Sequence, residues 1–316
     1  MLGLSLLLCL GLSICYLARP DACAAVTIFP VWAWLAPGLF LAALGWGYRT
    51  RRAAILVALI WLAYVAAFGD EPKTLLRARQ WPAPNWESAR EQGRALRVVS
   101  LNARGSKAAA SEVAQYHPDI VLLQESSRQK DVKRLAHKLF GGEAEFIWSQ
   151  DTSIIVHGSM ALNQIPTPAH LVLARVKLKS GIEANVVSTR LHSPVFRIEL
   201  WSSECWRSQE GNRRRHWAQM ERTKALLAAL PSNVPLVIGG DFNSPAGDAI
   251  YRLLRPRLHD TFLEGGVGWG NTAFDHLPVL RVDQVWVSDQ FKAAAVVARE
   301  TINSDHRLVV CDLMLH

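Results

Sequence analysis

The chain has 316 residues, half of them apolar, and its 35 Lys+Arg against 27 Asp+Glu give a net charge of +8. That length holds one large domain plus a smaller accessory region; the mild basicity suits an anionic substrate or anionic lipid headgroups without choosing between them. The five cysteines form no C-x-x-C pair, which argues against a zinc site, and Cys205 and Cys311 alone carry no spacing that dictates a disulfide.

Before Asp70 the only charged side chains are Arg19, Asp21, Arg49, Arg51 and Arg52. They separate three apolar runs, Leu2 to Ala18, Ala24 to Trp46 and Ala53 to Gly69. About 20 such residues cross a bilayer as a helix, with about 17 the lower limit, so residues 1–69 are expected to form a membrane region of three transmembrane helices (2–18, 24–46, 53–69). Pro30 and Pro37 are expected to kink the second, which bundled membrane helices tolerate. The first run lacks the basic leader of a cleaved signal peptide. Arg49, Arg51 and Arg52 mark the second connection as cytoplasmic, which makes the chain an integral protein of the plasma or inner membrane with everything after Gly69 extracytoplasmic. Residues 70–95, with Trp81-Pro82-Ala83-Pro84-Asn85-Trp86, are expected to be a linker whose tryptophans sit either at the headgroup level or on the domain's own surface.

From residue 96 to the end the texture is that of a catalytic domain of α/β class. Short β-type runs end repeatedly in polar residues: Arg97 to Leu101 leads into Asn102, Asp119 to Gln124 into Glu125, and Ala184 to Thr189 into Arg190, Leu191 and His192. Val234 to Gly240 leads into Asp241-Phe242-Asn243, Leu280 to Val282 into Asp283, and Ser304-Asp305-His306 precedes a last strand. Helices are expected at 108–116, 131–140 and 214–230. Strands of one sheet end side by side, so these groups can converge on one rim. Carboxylate and amide oxygens suit Mg²⁺, with Mn²⁺ the alternative, over zinc.

Leu101-Asn102, Leu123-Gln124-Glu125, Gly240-Asp241-Phe242-Asn243-Ser244-Pro245, Val282-Asp283 and Ser304-Asp305-His306, in this order, resemble the endonuclease/exonuclease/phosphatase (DNase I-like) superfamily, and the preceding apolar runs resemble its membrane-anchored bacterial subgroup. The resemblance implies a four-layer αββα sandwich over 96–316. It implies Glu125 as the main metal ligand, with Asn102 and Asp305 beside it, and Asp241 as the group that orients or deprotonates the attacking water. Asn243 would hold a phosphate oxygen, and His306 would donate to the phosphoryl group with Asp283 fixing its tautomer.

Where many members have Thr-His-Leu, this chain has Thr189-Arg190-Leu191. Arginine cannot act as a general acid but binds phosphate bidentately; either Arg190 supplies charge instead, or His192, two residues on and on the same strand face, takes the part. The basic, aromatic stretch Trp201 to Arg207 through Arg213 to Trp217 is expected to be a loop running into a helix and could grip a headgroup, a nucleic acid or a membrane surface. The expectation is a metal-dependent phosphoesterase with membrane lipids as partners and a lipid-linked phosphate, pyrophosphate or phosphodiester substrate; the alternative is a membrane-tethered nuclease. Monoester or diester chemistry, the number of metal ions and the oligomeric state stay open.

Overall fold

The structure, a computed structural model, describes residues 1–77, 81–162 and 165–316. Of the expected linker, residues 78–80 lie outside the described residues.

The domain is a mixed sheet curled onto itself. Its strands are β1 (Ala95–Asn102), β2 (Ile120–Gln124), β3 (Ala144–Trp148), β4 (Thr152–Leu162), β5 (Leu171–Leu178), β6 (Glu183–Arg190), β7 (Leu236–Asp241), β8 (His259–Asp260), β9 (Asp283–Val287), β10 (Phe291–Arg299) and β11 (Leu308–Leu315). They pair in the order β10-β11-β1-β2-β4-β5-β6-β7-β9-β8, with β3 on β4. β4 joins the halves: Thr152–Val156 pair with β2, and Gly158–Leu162 with β5. β1/β2 and β6/β7 are parallel, and the other pairs are antiparallel.

Strand alternation makes the layers. On β1, Leu96 and Val98 enter a core between the two halves with Ile120 and Leu122 of β2, Val186 of β6, Val237 of β7 and Val285 of β9. Val99 and Leu101, on the other face of β1, pack with Val121 and Leu123 under helices α7 (Lys107–Ser111) and α8 (Gln129–Phe140). The far side of β5–β7 packs Leu236 and Ile238 against Met220 and Leu227 of α9 (Ser203–Ala228). Helix, sheet, sheet, helix is the layering expected from sequence. Each fully buried Val, Leu or Ile contributes about 1.5–3 kcal/mol, so this double-faced burial makes the sheet the rigid element that carries the site.

Helix α9 starts at Ser203, where the Ser202 hydroxyl accepts from Glu204 N. The stretch 203–213, expected as loop, is therefore helix, because its own N-cap precedes it. Cys205 and Cys311 are both free and buried.

The amino-terminal region holds α1 (Leu2–Ala18), α2 (Ala24–Thr27), α3 (Leu35–Leu44) and α4 (Arg51–Phe68), and the short helices α5 (Glu71–Leu75) and α6 (Trp86–Glu91) follow before β1. Helix α4 alone among the described residues is long and apolar enough to cross a membrane as one helix; α1, with 17 residues, is shorter. The run expected as one span over 24–46 is not one helix. It breaks at Ile28–Pro30, and its two parts, Asp21–Thr27 and Val31–Leu44, meet at 77°. The reason is Pro30, which lacks an N–H and disfavours helix at the residue before it. The helices lock around Trp61, whose indole N–H donates to Ser5 Oγ (2.9 Å) while Ser5 donates to Gly38 O (2.9 Å). Gly38 is required there, since a Cβ would meet the Trp61 ring at 2.1 Å. Outward the same helices present Leu7, Leu10, Ile14, Leu56, Leu59 and Leu62, all exposed.

This region and the segment after it are docked on the domain. Arg213 of α9 pairs with Asp248 at 3.0 Å and donates to Pro20 O (3.1 Å) and Thr27 Oγ1. Arg281 bridges Asp70 (2.7 Å) and Asp260 (2.8 Å). Trp86 is buried, its indole donating to Leu313 O, and the Arg97 guanidinium lies over both the Trp81 and Trp86 rings. Of the two expected positions for these tryptophans, the domain's own surface is the one they occupy.

Candidate active site

The inter-sheet core has one rim where its apolar rows end in polar side chains. On β1 the core-facing row Leu96, Val98 continues through Ser100 to Asn102; on β2, Ile120 and Leu122 continue to Gln124; on β7, Val237 continues through Gly239 to Asp241. Val285 and Val287 of β9 share their face with Asp283, and Val186 of β6 with Ser188 and Arg190. The pairings Arg190 with Asp241 and Asp241 with Asp283 bring three of these ends to one level. Gly240 makes the approach possible: its φ is +152°, and a Cβ there would strike the Thr189 carbonyl oxygen.

Asp241 is buried and held at both oxygens, Oδ1 by the Asn243 backbone N–H (2.9 Å) and Oδ2 by Asn102 Nδ2 (2.9 Å). Burial, and then the neighbouring Asp283 charge, pushes its pKa up to about 6, the range for a base that must lose and regain a proton near neutrality. Asn243, at a positive φ of 48° that asparagine tolerates, anchors its amide on Leu191 O (2.9 Å). His306 Nδ1 lies 2.8 Å from Asp283 Oδ2. Burial would lower the His306 pKa, but the Asp283 charge and hydrogen bond, with Asp241 and Asp305, raise it to about 10. The ring is thus an imidazolium at neutral pH, with Nδ1–H donating to Asp283 and Nε2–H left for a substrate oxygen. Ser304, given no role from sequence, donates to Asn102 O (2.7 Å) and ties the 304–306 loop to the end of β1.

Glu125 sits just past β2 at φ 43°, a conformation that costs a non-glycine residue roughly 1–2 kcal/mol. It is fixed by Asn102 Nδ2 (3.1 Å), by Arg190 Nη2 (2.9 Å), and through its carbonyl by Gly105 N (2.7 Å). Arg190 also donates to Ser193 Oγ (3.1 Å) and reaches Asp151 at 3.6 Å. Arg104 lies 3.4 Å from Asp305 Oδ2, while Asp305 Oδ1 is buried with no hydrogen-bond partner.

His192 does not join. β6 ends at Arg190, so strand periodicity no longer aims the residue two positions on; the exposed ring turns to Ser193 O (2.9 Å). The other eight expected residues (Asn102, Glu125, Arg190, Asp241, Asn243, Asp283, Asp305 and His306) are linked by the contacts above. All but the buried Asn102 and Asp283 line one cleft of about 540 Å³. Sequence reasoning missed the apolar wall of that cleft, where Phe29, Pro30 and Trp32 of the amino-terminal region stand; the Pro30 break was legible, its destination was not.

Asp241, Asp283 and His306 have ligand-type atoms within 4.8 Å of one another. With Nδ1 of His306 2.8 Å from Asp283 Oδ2, the trio can serve as an acid–base unit, and its two carboxylates can equally take a divalent cation. Glu125 and Asp305, both lining the cleft, and the buried Asn102 Oδ1, which accepts from Arg104 N (3.1 Å), are hard oxygen donors of the kind a divalent cation takes, and Asp305 Oδ1 has no hydrogen-bond partner. Such an ion, when bound, neutralises phosphoryl oxygens. The arrangement leaves the rest to the chain's own residues: Asp241 is placed where it can take a proton from water, Asn243 and Arg190 carry N–H groups that can donate to an anionic group, and His306 can donate to an oxygen on which charge grows.

No curated protein matches the chain. Among solved structures it is similar to an endonuclease/exonuclease/phosphatase family protein from Bacteroides thetaiotaomicron (16% identity, TM-score 0.51, 70% of this chain and 95% of that one). It is similar also to a mannosyl-6-phosphatase of Bacteroides thetaiotaomicron VPI-5482 (17%, TM-score 0.50, 70% and 100%) and to a humanized D. rerio TDP2 (17%, TM-score 0.51, 69% and 98%). At these identities the likeness is one of fold. Residues 99–306 match the model of the Endonuclease/Exonuclease/phosphatase family, and with that match over most of its length the chain belongs to this family, as a hydrolase of phosphoester bonds.

Proposed function

We propose that the protein is a Mg²⁺-dependent phosphoesterase that hydrolyses a lipid phosphate, lipid pyrophosphate or phosphodiester headgroup at a membrane surface, with residues 1–69 embedded in the membrane and the domain extracytoplasmic. The observation that carries this reading is the docking of an apolar helical region, its outward side lined with exposed leucines and isoleucines, directly beside the cleft through Arg213, Asp248 and Arg281. A contiguous exposed apolar face on a protein marks an interaction surface, and a membrane anchor keeps the cleft near lipid substrates. The Arg49–Arg52 cluster supports the orientation, since basic residues of short loops stay cytoplasmic. The fold itself serves several phosphoesters, its solved members including a TDP2 and a mannosyl-6-phosphatase.

The test is phosphate or headgroup release by the full chain in detergent with Mg²⁺ or EDTA, on isoprenyl and glycerolipid phosphates beside single- and double-stranded DNA, with Asp241→Asn as the blank. Metal-dependent lipid turnover missing from the blank is the expected result. DNA cleavage with inert lipids would replace this reading by the membrane-tethered nuclease.

A further inference from the structure

The cleft that holds the catalytic cluster is lined by two unlike sets of side chains. One is polar, Glu125, Arg190, Asp241 and His306; the other is apolar, Phe29, Pro30 and Trp32 at the helix break together with Phe196, Phe274 and Leu280 of the domain. A phosphate group alone makes no use of these rings; they can only meet the rest of the substrate. Nor is this apolar wall a packed interface, because Phe196 is 75% exposed and Phe274 46%, their ring centroids 6.1 Å apart at the mouth. The break is held in place: the Tyr16 hydroxyl donates to Phe29 O (2.6 Å) and accepts from Trp34 Nε1 (3.0 Å), and Trp32 meets Trp269 in a tilted ring contact (6.2 Å, 50°). From Trp34 the chain runs straight into α3, whose Phe40 and Leu44 are exposed. Apolar side chains thus stand both at the cleft and, a few residues further along the chain, on the exposed side of α3.

We propose that this wall seats the first segment of the substrate's hydrocarbon chain, so that the helix break at Ile28–Pro30 is a specificity-determining part of the site and not only a connection within an anchor. The inference rests on the phosphoesterase reading above and deepens it: the substrate class is an amphiphile whose phosphate lies at Asp241 and His306 and whose chain leaves along Phe29, Trp32, Phe196 and Phe274. The volume is within the range of small-molecule pockets, far more than a phosphate alone fills.

The experiment is calorimetric titration of the full chain in detergent, with Mg²⁺, by methyl-, butyl- and octylphosphonate, whose carbon–phosphorus bond keeps binding separate from turnover. Affinity should rise about fourfold for each methylene that reaches the wall, which corresponds to about 0.8 kcal/mol. The double variant Phe196→Ser/Phe274→Ser, at two part-exposed positions that carry little of the fold, should lose about tenfold or more for octylphosphonate, the loss of roughly two ring contacts, with a far smaller change for methylphosphonate. Phe274→Trp, which narrows the cleft, should shift the preference to shorter chains. Equal affinity for methyl- and octylphosphonate, or an unchanged length dependence in the double variant, would overturn the proposal. Phosphate release is the separate readout of the phosphoesterase reading: length-dependent binding with no ester hydrolysed would sink that reading alone.

Discussion

His306 Nδ1 donates to Asp283 Oδ2 at 2.8 Å, and the other oxygen of this buried carboxylate, Oδ1, has no hydrogen-bond partner. The pair is built to keep the imidazole charged. Burial alone would lower the His306 pKa; Asp283 first, with Asp241 and Asp305, more than reverses it, to about 10. In Asp283→Asn the burial effect remains and its largest counterweight is gone, so the His306 titration should fall well below that of the wild type. Imidazole NMR of the metal-free protein reads this directly, and a ring that stays charged at pH 8 in the variant would refute it. The linkage has a definite sign. A folded-state pKa above the unfolded one contributes stability that is complete below about pH 6.5 and is lost as pH rises through about 10. Thermal melts at pH 6 and pH 10 should therefore differ more for the wild type than for Asp283→Asn. Activity of the variant should drop by about 10²–10³, as for loss of a single preorganised donor.

Arg190 leads to a second expectation. Its Nη2 is 2.9 Å from Glu125 Oε1 and its side chain is 19% exposed, so it would meet a substrate as a positioned cation. Arg190→Lys keeps the charge without the planar fork and should cost about tenfold in kcat/KM; Arg190→Ala should cost about 10²-fold, in keeping with charge-assisted bonds of roughly 1.5–3 kcal/mol. Arg190→His would install at this position a group that titrates near 6.5. A new alkaline limb in that variant, with the rate falling above about pH 6.5, is the expected outcome; the acid limb that Asp241 gives near 6 should appear in variant and wild type alike. A wild-type profile that already falls above about pH 6.5 would give the acid role to another side chain.

How far the sequence carried the site can be judged residue by residue. Asn102, Asp241 and Asp283 were legible because each ends an apolar strand and shares the parity of that strand's core-facing residues, a local rule with period two. His192 was misjudged by the same rule, applied two residues beyond the end of β6. The break at Pro30 was legible as chain chemistry. That Phe29 and Trp32 cross to the cleft was not, because their partners Phe274 and His306 lie more than 240 positions away and only the folded contacts bring them together. Trp81 and Trp86 could equally have faced lipid; the cation that claims them, Arg97, is itself held by Asp312 through two bonds (2.6 and 3.0 Å) inside the sheet, and nothing local announces that.

Removal of the metal should separate binding from chemistry. Glu125 and Asp305 are the carboxylates whose free oxygens suit a hard cation, and Asp305 Oδ1 is buried without a donor. With Mg²⁺ at 100 times its Kd the folded state gains about 2.7 kcal/mol, so the wild-type melting temperature should rise with Mg²⁺ and return with EDTA. Glu125→Gln should melt at the same temperature with and without the ion. A Mg²⁺ response preserved in Glu125→Gln and lost in Asp283→Asn would move the ion to the Asp241–Asp283–His306 cluster.

The last expectation concerns how the helix break is kept against the cleft. Arg213 and Asp248 form an ion pair at 3.0 Å with both side chains 5% exposed, and the same guanidinium donates to Pro20 O and Thr27 Oγ1 on either side of α2. Asp248 also caps the turn that follows it, accepting from Ile250 N (3.2 Å), so its carboxylate cannot simply swing out. Arg213→Met leaves that buried charge uncompensated, which costs about 3–5 kcal/mol, and it releases the 20–27 segment. Arg213→Met/Asp248→Asn removes both charges and should recover much of the stability, since a buried pair replaced together is often nearly neutral. It cannot recover the bonds to Pro20 and Thr27. The two variants thus part stability from positioning: the double variant should melt near the wild type yet bind octylphosphonate more weakly and become open to proteolysis at residues 18–31. Wild-type octylphosphonate affinity in the double variant would mean that the wall stands without Arg213, and that Tyr16 and the packing around Trp61 are enough to hold it.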